Sequence, residues 1–226
     1  MMTNILALIP AYNEAQRIEP VILGALAHLP VLVVDDGSKD ETADVAEATG
    51  AMVLRQNPNQ GKGTALRSGF SWALERNYDA VIALDADGQH DPDEIPLFLA
   101  RYAETQPDLI IGARDFSQIP GIRRLSNSLG RKMFSWALGQ DAPDNQSGYR
   151  LLSRRMMEAT LASAEQGFEF EVEMIVTCVQ QGYQLDWVPI RTIYGDESSH
   201  ISPVEHATNF TRVVLDTRRR MKTTLS

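Results

Sequence analysis

The sequence is poor in the features that define several classes of protein. It has one cysteine in 226 residues, Cys178, which excludes an internal disulfide and any metal site built from several cysteines. No apolar run approaches the ~20 residues that a membrane-spanning helix needs, and residues 1–4 lack the basic charges of a signal peptide. The net charge of −9 argues against non-specific binding to nucleic acid. We therefore expect a cytoplasmic protein that binds no nucleic acid.

Two common nucleotide-binding motifs are also missing. No G-x-G-x-x-G follows the first apolar run, so a dinucleotide site of the Rossmann type is not expected. Segment 56–63 departs from the G-x-x-x-x-G-K-[ST] pattern, because Gln56 replaces the first glycine and Gly63 follows the lysine. Gly61 and Gly63 still allow a ligand to approach the backbone closely, with Lys62 available to a phosphate; an ordinary turn is the alternative.

Short apolar runs alternate with helical patterns in the first half of the chain. Strands are predicted at 5–9, 31–34, 51–54, 80–84 and 109–111, and helices at 18–29, 41–49, 64–76 and 94–103. This alternation predicts an α/β fold with a mostly parallel, doubly wound sheet. Further along, helices are predicted at 122–138, 154–163, 168–181 and 204–222, and extended segments at 148–152, 184–190 and 192–194.

Two helix starts carry capping signals. Asp91 and Pro92 are placed as N-cap and first helical residue, with Glu94 completing a capping box. Ser38 and Glu41 form a second capping-box pattern before the helix that Gly50 ends.

Three predicted strands are each followed at once by a polar cluster, at 10–14, 35–38 and 85–89. Because the carboxyl ends of parallel strands share one edge of a sheet, these clusters are expected to meet in one crevice. Asp85 and Asp87 are two residues apart, so they can converge on one target, such as a hard divalent cation held partly by a substrate phosphate. A solvated acidic turn is the alternative interpretation.

Four of these segments, taken in order, resemble a known family. They are IPAYNE at 9–14, VVDDGS at 33–38, GKG at 61–63 and DADGQH at 85–90, and the similarity continues through 111–114, 123–124, 144–150 and 188–190. The sequence resembles glycosyltransferase family 2, above all its polyprenyl- and dolichyl-phosphate mannosyl- and glucosyltransferases. The resemblance implies a GT-A (Rossmann-like) three-layer α/β sandwich in a single domain spanning 1–226. Its parts would be a nucleotide-binding half at 1–113, an acceptor half at 114–203 and a basic C-terminal helix at 204–226.

The resemblance also implies roles for individual residues. Those expected to bind the nucleotide sugar are Pro10, Tyr12, Glu14, Asp36, Lys62, Gly63 and Asp85. Those expected to hold Mg²⁺ or Mn²⁺ against the diphosphate are Asp87 and Gln89. Those expected to be catalytic are Asp87, Arg114 and Asp144, and those expected to bind the acceptor or its phosphate are Arg114, Arg124 and His200.

The implied reaction moves a sugar from a GDP- or UDP-linked donor to a polyprenyl phosphate, with inversion and with a divalent metal. A hydroxyl acceptor is an alternative, and it would need a base, with Asp144 the leading candidate. A sugar-phosphate nucleotidyltransferase and a non-catalytic nucleotide-sugar-binding protein are further alternatives. The first would usually carry a glycine-rich basic loop after the first strand, which segment 10–14 is not.

Three features of the second half complete the predictions. His200 stands where the lipid-phosphate branch usually has a lysine, so phosphate binding there would depend on the protonation of a histidine. The basic helix 204–222 is of a type that can lie on an anionic membrane; a docking helix and a solvated chain end are the alternatives. The carboxylates of Glu169, Glu171 and Glu173 are expected to form a solvated helix face.

Overall fold

A computed structural model describes residues 3–114, 121–162, 170–191 and 203–224. In these ranges the strands are β1 Ile5–Ala11, β2 Val31–Asp35, β3 Met52–Arg55, β4 Ala80–Ala83, β5 Leu109–Arg114, β6 Arg150–Ser153 and β7 Leu185–Ile190. The helices are α1 Ile18–Leu26, α2 Thr42–Ala48, α3 Lys62–Glu75, α4 Ile95–Thr105, α5 Gly121–Leu138, α6 Arg154–Ala162, α7 Phe170–Gln180 and α8 Pro203–Thr224. A 3₁₀ turn, Pro92–Glu94, precedes α4.

The seven strands form one sheet in the order β3-β2-β1-β4-β6-β5-β7. All strands run in the same direction except β6, which pairs antiparallel with both β4 and β5. The strand order reverses between β1 and β4, which is where open α/β sheets form a ligand crevice. The predicted α/β fold with a mostly parallel sheet is confirmed.

The apolar strands are buried because helices cover both faces of the sheet. In β1, Leu6 and Leu8 belong to one apolar cluster, with side chains of α3, α6 and α7, whereas Ala7 and Ile9 belong to a second, with α1 and α4. Successive side chains of a strand point to opposite faces, so a continuous apolar run fits a strand that is covered on both sides. The result is three layers, with helices above and below the sheet.

The first capping prediction is half right. Oδ1 of Asp91 accepts from the backbone N–H of Asp93 at 3.0 Å, and Pro92 follows as predicted. The predicted return bond from Glu94 is wrong. Its buried carboxylate accepts from the backbone N–H of Arg191 at 2.9 Å and from its Nε at 3.3 Å. The end of β7 therefore supplies a charged partner that replaces the local cap.

The second capping box is wrong as well. Oγ of Ser38 accepts from the backbone N–H of Asn13 at 2.9 Å, and Oδ1 of Asp40 accepts from the N–H of Thr42 at 3.1 Å. The loop after β2 thus uses Ser38 to hold the loop after β1, and Asp40 serves the start of α2.

The predicted solvated face of α7 is wrong for the carboxylates that the structure describes. The side chain of Glu173 is only 9% exposed, and it forms a two-point ion pair with Arg220 of α8 at 2.5 and 2.8 Å. Glu171 turns toward Lys62 at the sheet edge. Helix α8 packs on α7, which brings Arg220 to Glu173. Both carboxylates therefore have basic partners that are distant in sequence. Glu169 and segment 192–194 lie outside the described residues.

Among the described residues, no helix combines the length and the apolarity that crossing a lipid bilayer requires.

Candidate active site

The loops that follow β1, β2 and β4 lie at one edge of the sheet, because these three neighbouring strands run parallel. The register pairs Ala11 with Asp35, so the first two polar clusters begin side by side. Two cross-loop bonds join them, from the N–H of Asn13 to Ser38 and from the N–H of Glu14 to Oγ1 of Thr42 at 2.8 Å. The predicted meeting of the three clusters at one edge is confirmed, and we call the crevice there the cleft.

The predicted nucleotide-binding residues of β1 differ in exposure. Pro10 is buried within the strand, whereas Tyr12 is 42% exposed just beyond it. Glu14 is held on its own loop, where Oε2 accepts from Nε of Arg17 at 2.8 Å. The segment that follows β1 therefore carries an exposed aromatic side chain and, two residues later, a carboxylate.

Asp36 shapes the loop before α3. Its buried carboxylate accepts from the backbone N–H groups of Gln60 at 2.9 Å and Gly61 at 2.7 Å. Gly61 has a φ of +91°, which a residue with a side chain would adopt only with strain. The next two residues, Lys62 and Gly63, open the helix. Asp36 therefore orders the loop that directs Lys62 into the cleft.

Lys62 makes the central contact between the two halves of the chain. Its Nζ lies 2.6 Å from Oδ1 of Asp85 and 3.0 Å from Oε1 of Glu171. We call these three residues the Lys62 cluster. Sequence reasoning placed Lys62 and Asp85 in the cleft but missed Glu171. A signal was present, since Glu171 lies in the run Phe-Glu-Val-Glu-Met-Ile-Val, which leaves little room for a solvated helix face.

Lys62 and Asp85 stabilise each other's charged forms. Burial alone would raise the pKa of Asp85, but the ammonium of Lys62 outweighs it and brings that pKa below its usual value. Burial alone would lower the pKa of Lys62, but Asp85 and Glu171 outweigh it and raise that pKa above its usual value. The cluster therefore places the Lys62 ammonium between the Asp85 carboxylate and the side chain of Glu171.

His90 binds the backbone of Asp85 as a neutral ring. Its Nδ1 accepts from the backbone N–H of Asp85 at 3.1 Å, which requires an unprotonated nitrogen. Burial lowers the pKa of His90 below its usual value despite the nearby carboxylate of Asp85. The ring packs 5.1 Å from that of Tyr149, which in turn packs on Phe98. His90 thus fixes the backbone at the point where β4 leads into the cleft.

Gly148 forms the wall of the cleft against Asp85. A Cβ at this position would lie 2.7 and 3.0 Å from the two carboxylate oxygens of Asp85 and 3.0 Å from Nζ of Lys62. Such distances are shorter than normal van der Waals contact. The glycine therefore lets the chain before β6 approach the Lys62 cluster closely.

Arg114 and Asp144, both predicted near the reaction centre, form a two-point ion pair. Nε and Nη2 of Arg114 donate to Oδ2 and Oδ1 of Asp144 at 2.6 and 2.9 Å, and the backbone N–H of Arg114 adds a contact at 3.3 Å. The N–H groups of Gln146 and Ser147 donate to Oδ1 at 3.1 and 3.2 Å. The buried carboxylate of Asp144 therefore receives five N–H donors, against about four lone-pair sites on an ionised carboxylate.

Arg150 is a fully buried arginine that sequence reasoning gave no role. Its guanidinium donates to the backbone carbonyls of Ser147 at 2.7 Å, Asn145 at 3.2 Å, and Glu171. Burial lowers the pKa of Arg150 to about 10, although carboxylates nearby act in the opposite direction. Arg150 therefore holds the loop that carries Asp144 against the start of α7.

Asp87 and Gln89, the predicted metal ligands, lie half-buried on the turn after β4. Oδ1 of Asp87 accepts from the backbone N–H of Gln89 at 2.9 Å, and Gly88 between them has a φ of +80°. Carboxylate and amide oxygens are donors of the kind that Mg²⁺ and Mn²⁺ prefer. Within the described ranges, no three His, Cys, Asp or Glu side chains group as metal ligands. A cation held here would thus share its coordination with substrate oxygens.

Two predicted acceptor residues cannot be placed relative to this cleft. Arg124 belongs to helix α5, but its side chain lies outside the described part of the chain, and so does all of His200.

Comparison with known proteins identifies the family. A family model described as glycosyl transferase family 2 matches residues 7–161. The chain is 36% identical over 206 residues to undecaprenyl-phosphate mannosyltransferase of Micrococcus luteus, covering 83% of this chain and 82% of that protein. It is 32% identical over 205 residues to polyprenol monophosphomannose synthase of Mycolicibacterium smegmatis, covering 82% and 76%.

A solved structure supports the fold. Glucosyl-3-phosphoglycerate synthase of Mycobacterium tuberculosis, in complex with Mn²⁺, uridine diphosphate and glucosyl-3-phosphoglycerate, matches with a TM-score of 0.70 at 19% identity. The match covers 96% of this chain and 78% of that one. The predicted GT-A fold is confirmed, as is the resemblance on which the family prediction depended. The chain belongs to glycosyltransferase family 2 and is a glycosyltransferase.

Proposed function

We propose that this glycosyltransferase moves a hexose from a GDP- or UDP-linked donor to a polyprenyl phosphate, with inversion at the anomeric carbon. Two relatives that are more than 30% identical are named for undecaprenyl-phosphate and polyprenol monophosphomannose chemistry. The observation that carries the proposal is the number of hydrogen bonds that the carboxylate of Asp144 already accepts. A carboxylate that already receives five N–H donors, two of them from an arginine, is a poor general base.

A phosphate acceptor removes the need for such a base. A phosphate monoester has a second pKa of about 6, so near neutral pH it is largely dianionic and already nucleophilic. A sugar hydroxyl would have to lose a proton as it attacks. Asp144 would then act by aiming Arg114, whose planar guanidinium suits a phosphate. Arg124 and His200 remain proposed acceptor contacts on the strength of the resemblance alone.

The donor would lie along the edge formed by β1, β2 and β4. We assign its nucleotide to the loops after β1 and β2, with Pro10, Tyr12, Glu14 and Asp36, and its diphosphate to the turn that carries Asp87 and Gln89. The oxygen donors there fit Mg²⁺ or Mn²⁺, which would neutralise charge on the nucleoside-diphosphate leaving group. The presence of Mn²⁺ and uridine diphosphate in a protein of the same fold supports this assignment.

A peripheral contact with an anionic membrane would bring the enzyme to a lipid-linked acceptor. One exposed stripe of α8 carries Arg212, Leu215, Arg219 and Lys222, and Leu215 is 60% exposed. Trp136 of α5, 57% exposed, lies beside it, with the guanidinium of Arg218 4.8 Å from its ring centre. Basic, leucine-bearing helix faces and exposed tryptophans are typical of proteins that lie on a bilayer surface.

A hydrogen bond connects helix α5 to the loop that carries Asp144. Oγ of Ser135, next to Trp136, accepts from the backbone N–H of Ala142 at 3.0 Å, and Ala142 is two residues before Asp144.

In sedimentation with vesicles, the wild type should bind those containing anionic lipid better than neutral ones. Changing Arg219 and Lys222 together to Gln should weaken binding by about 2 kcal/mol, or roughly 30-fold. Lys39→Gln with Arg76→Gln, away from this surface, is the matched control.

The test of the reaction is a product assay. The protein is incubated with a panel of GDP- and UDP-sugars and Mg²⁺ or Mn²⁺, with and without a short polyprenyl phosphate; products are identified by mass and their anomeric configuration by NMR. We expect a glycosyl polyprenyl phosphate with the inverted anomer. Transfer to a saccharide hydroxyl would contradict the acceptor, and release of pyrophosphate from a nucleoside triphosphate and sugar phosphate would indicate a nucleotidyltransferase.

A further inference from the structure

A cavity outside the cleft lies along helix α3, between Leu54 of β3 and Leu161 of α6, and has a volume of about 620 Å³. The residues of α3 that line it are Thr64, Arg67, Ser68, Ser71, Trp72 and Glu75. Successive residues of a helix are about 100° apart around its axis, so this lining is centred on the face opposite Lys62, which points into the cleft. We propose that this cavity, which we call the α3 groove, is a second ligand site that binds a neutral saccharide.

The α3 groove has apolar walls and an aromatic side chain that its neighbours hold in place. Leu54 and Leu161 form apolar parts of the lining. The ring of Trp72 stacks on that of Tyr78, with 6.1 Å between the ring centres, and the guanidinium of Arg76 lies 3.9 Å from the centre of the Trp72 ring. Small-molecule sites have volumes of roughly 300–1,000 Å³ and combine apolar walls with a few polar groups. The α3 groove has this size and this composition.

The polar groups of the lining have unused capacity for hydrogen bonds. Oγ of Ser68 accepts from Nε2 of Gln56 at 2.6 Å, so the hydroxyl proton of Ser68 can be donated to a ligand. Within the described ranges, neither the hydroxyl of Ser71 nor the indole N–H of Trp72 has a hydrogen-bond partner. The side chain of Glu75 is 72% exposed and supplies a carboxylate acceptor. The groove therefore presents donors and acceptors along one face of α3.

The charges of the lining favour a neutral ligand. Arg67 donates to the backbone carbonyls of Thr160 at 3.0 Å and Leu161 at 2.6 Å, so its guanidinium is committed to the end of α6. A phosphate would find this guanidinium engaged and would be repelled by the carboxylate of Glu75. That carboxylate alone supplies too few oxygens for a calcium or magnesium ion.

A saccharide matches the groups that remain. Its hydroxyls can donate to the carboxylate of Glu75 and accept from the N–H of Trp72 and the hydroxyl of Ser71. The C–H groups of a sugar ring can pack on Leu54 and Leu161. A purely apolar ligand would instead cover these polar groups without giving them partners, which costs free energy. The ligand class is therefore a neutral mono- or disaccharide.

The indole N–H signals in an NMR spectrum of the full chain test this inference. The chain has three tryptophans, and a Trp72→Phe variant identifies the signal of Trp72 by its loss. Methyl α-mannoside and maltose, titrated separately, serve as one-ring and two-ring probes. We expect at least one of them to shift the Trp72 signal saturably, with a Kd of about 1–10 mM. Inorganic phosphate should leave this signal in place.

Two variants and a control locate the binding. Ser71→Leu places a larger side chain in the groove and should abolish the shift. Glu75→Gln, at an exposed position, should keep the fold and raise the Kd about threefold to tenfold, because a hydrogen bond to a charged group is weakened. Ala103→Leu, on the exposed face of α4, is the matched control and should leave the Kd unchanged.

Three outcomes would overturn the inference. They are a Trp72 signal that neither sugar shifts saturably, a shift by phosphate as large as that by the sugars, and equal affinity in Ser71→Leu and Ala103→Leu. The titration measures binding on α3 without any transfer reaction, and it does not depend on the identity of the donor or the acceptor. The inference can therefore fail while the proposed function stands.

Discussion

In residues 1–113 the acidic groups of the cleft come directly after buried strands, whereas in residues 121–191 the polar groups come before a strand or from a helix. Asp36, Asp85 and Asp87 follow β2 and β4 within four residues. Asp144 and Gly148 precede β6, and Glu171 belongs to α7. Their partners differ as well. Asp87 contacts Gln89, two residues away, whereas Arg114 and Asp144 are 30 residues apart.

The difference teaches which contacts fix each side of the cleft. The first half is set by strand direction, which brings three loops to one edge. The second half is set by charged pairs over long sequence separations, in which Arg150 and Lys62 join segments that strand pairing alone would not bring together. Variants of the first half should therefore act mainly on chemistry, and variants of the second half on both geometry and stability.

The largest effect is expected from Asp87→Asn in the first half. The amide oxygen can still accept from the N–H of Gln89, so the turn should remain folded. The lost charge should weaken metal binding and lower kcat by about 10²–10³-fold, which is typical when one group that stabilises the transition state is removed. Steady-state assays over a range of Mn²⁺ concentrations would measure this. An unchanged metal dependence would contradict the assignment of Asp87 as a ligand.

Asp144→Asn should have a smaller effect, and it compares the two possible acceptors. If the acceptor is a phosphate, the change loosens Arg114 and raises the acceptor KM about tenfold, with kcat lowered little and donor binding intact. Kinetics with varied acceptor, together with nucleotide titration, would measure both quantities. Near-complete loss of kcat with intact donor binding would indicate that Asp144 is the base for a hydroxyl acceptor.

Gly148→Ala tests how closely the segment before β6 approaches Asp85 and Lys62. The new methyl group would meet Asp85 and Lys62 at 2.7–3.0 Å, so we expect a loss of about 1–3 kcal/mol in the free energy of unfolding. Denaturant titration would measure it. Gly130→Ala in helix α5 is the control. A Cβ there would lie 3.4 Å from the ring of Phe210, which is an ordinary van der Waals distance. Equal stability of the two variants would contradict a close approach of Gly148 to Asp85 and Lys62.

The smallest effect concerns pH. Burial lowers the pKa of His90 in the folded state below its usual value of 6.5, so the folded state favours the neutral ring. The stability that this provides is complete above pH 6.5 and is lost as pH falls toward the folded-state pKa. Melting temperature should therefore decline between pH 7 and pH 5 in the wild type, and less in His90→Gln. An equal decline in both proteins would assign the acid sensitivity to other groups.

The sequence was sufficient to predict the strands of the first half and the loops that follow them, because those signals are local. Each apolar run gave a strand, and each polar cluster after it fell at the predicted edge. It was insufficient where a distant charge competes with a local pattern. Glu94 binds Arg191 instead of capping its own helix, and Glu171 binds Lys62 instead of water. Neither partner could be found from spacing, since the pairs are separated by about a hundred residues.

The antiparallel strand β6 has a consequence for how this enzyme could diversify. Because it runs against its neighbours, the segment that enters it arrives at the same edge as the segments that leave β1, β2 and β4. The loops after β1, β2 and β4 and the 139–148 loop therefore lie at the same edge of the sheet although they are distant in sequence. Under the proposed function, we expect substitutions or insertions in 139–143 to change the preference for the acceptor, while the loops after β1, β2 and β4 keep their positions.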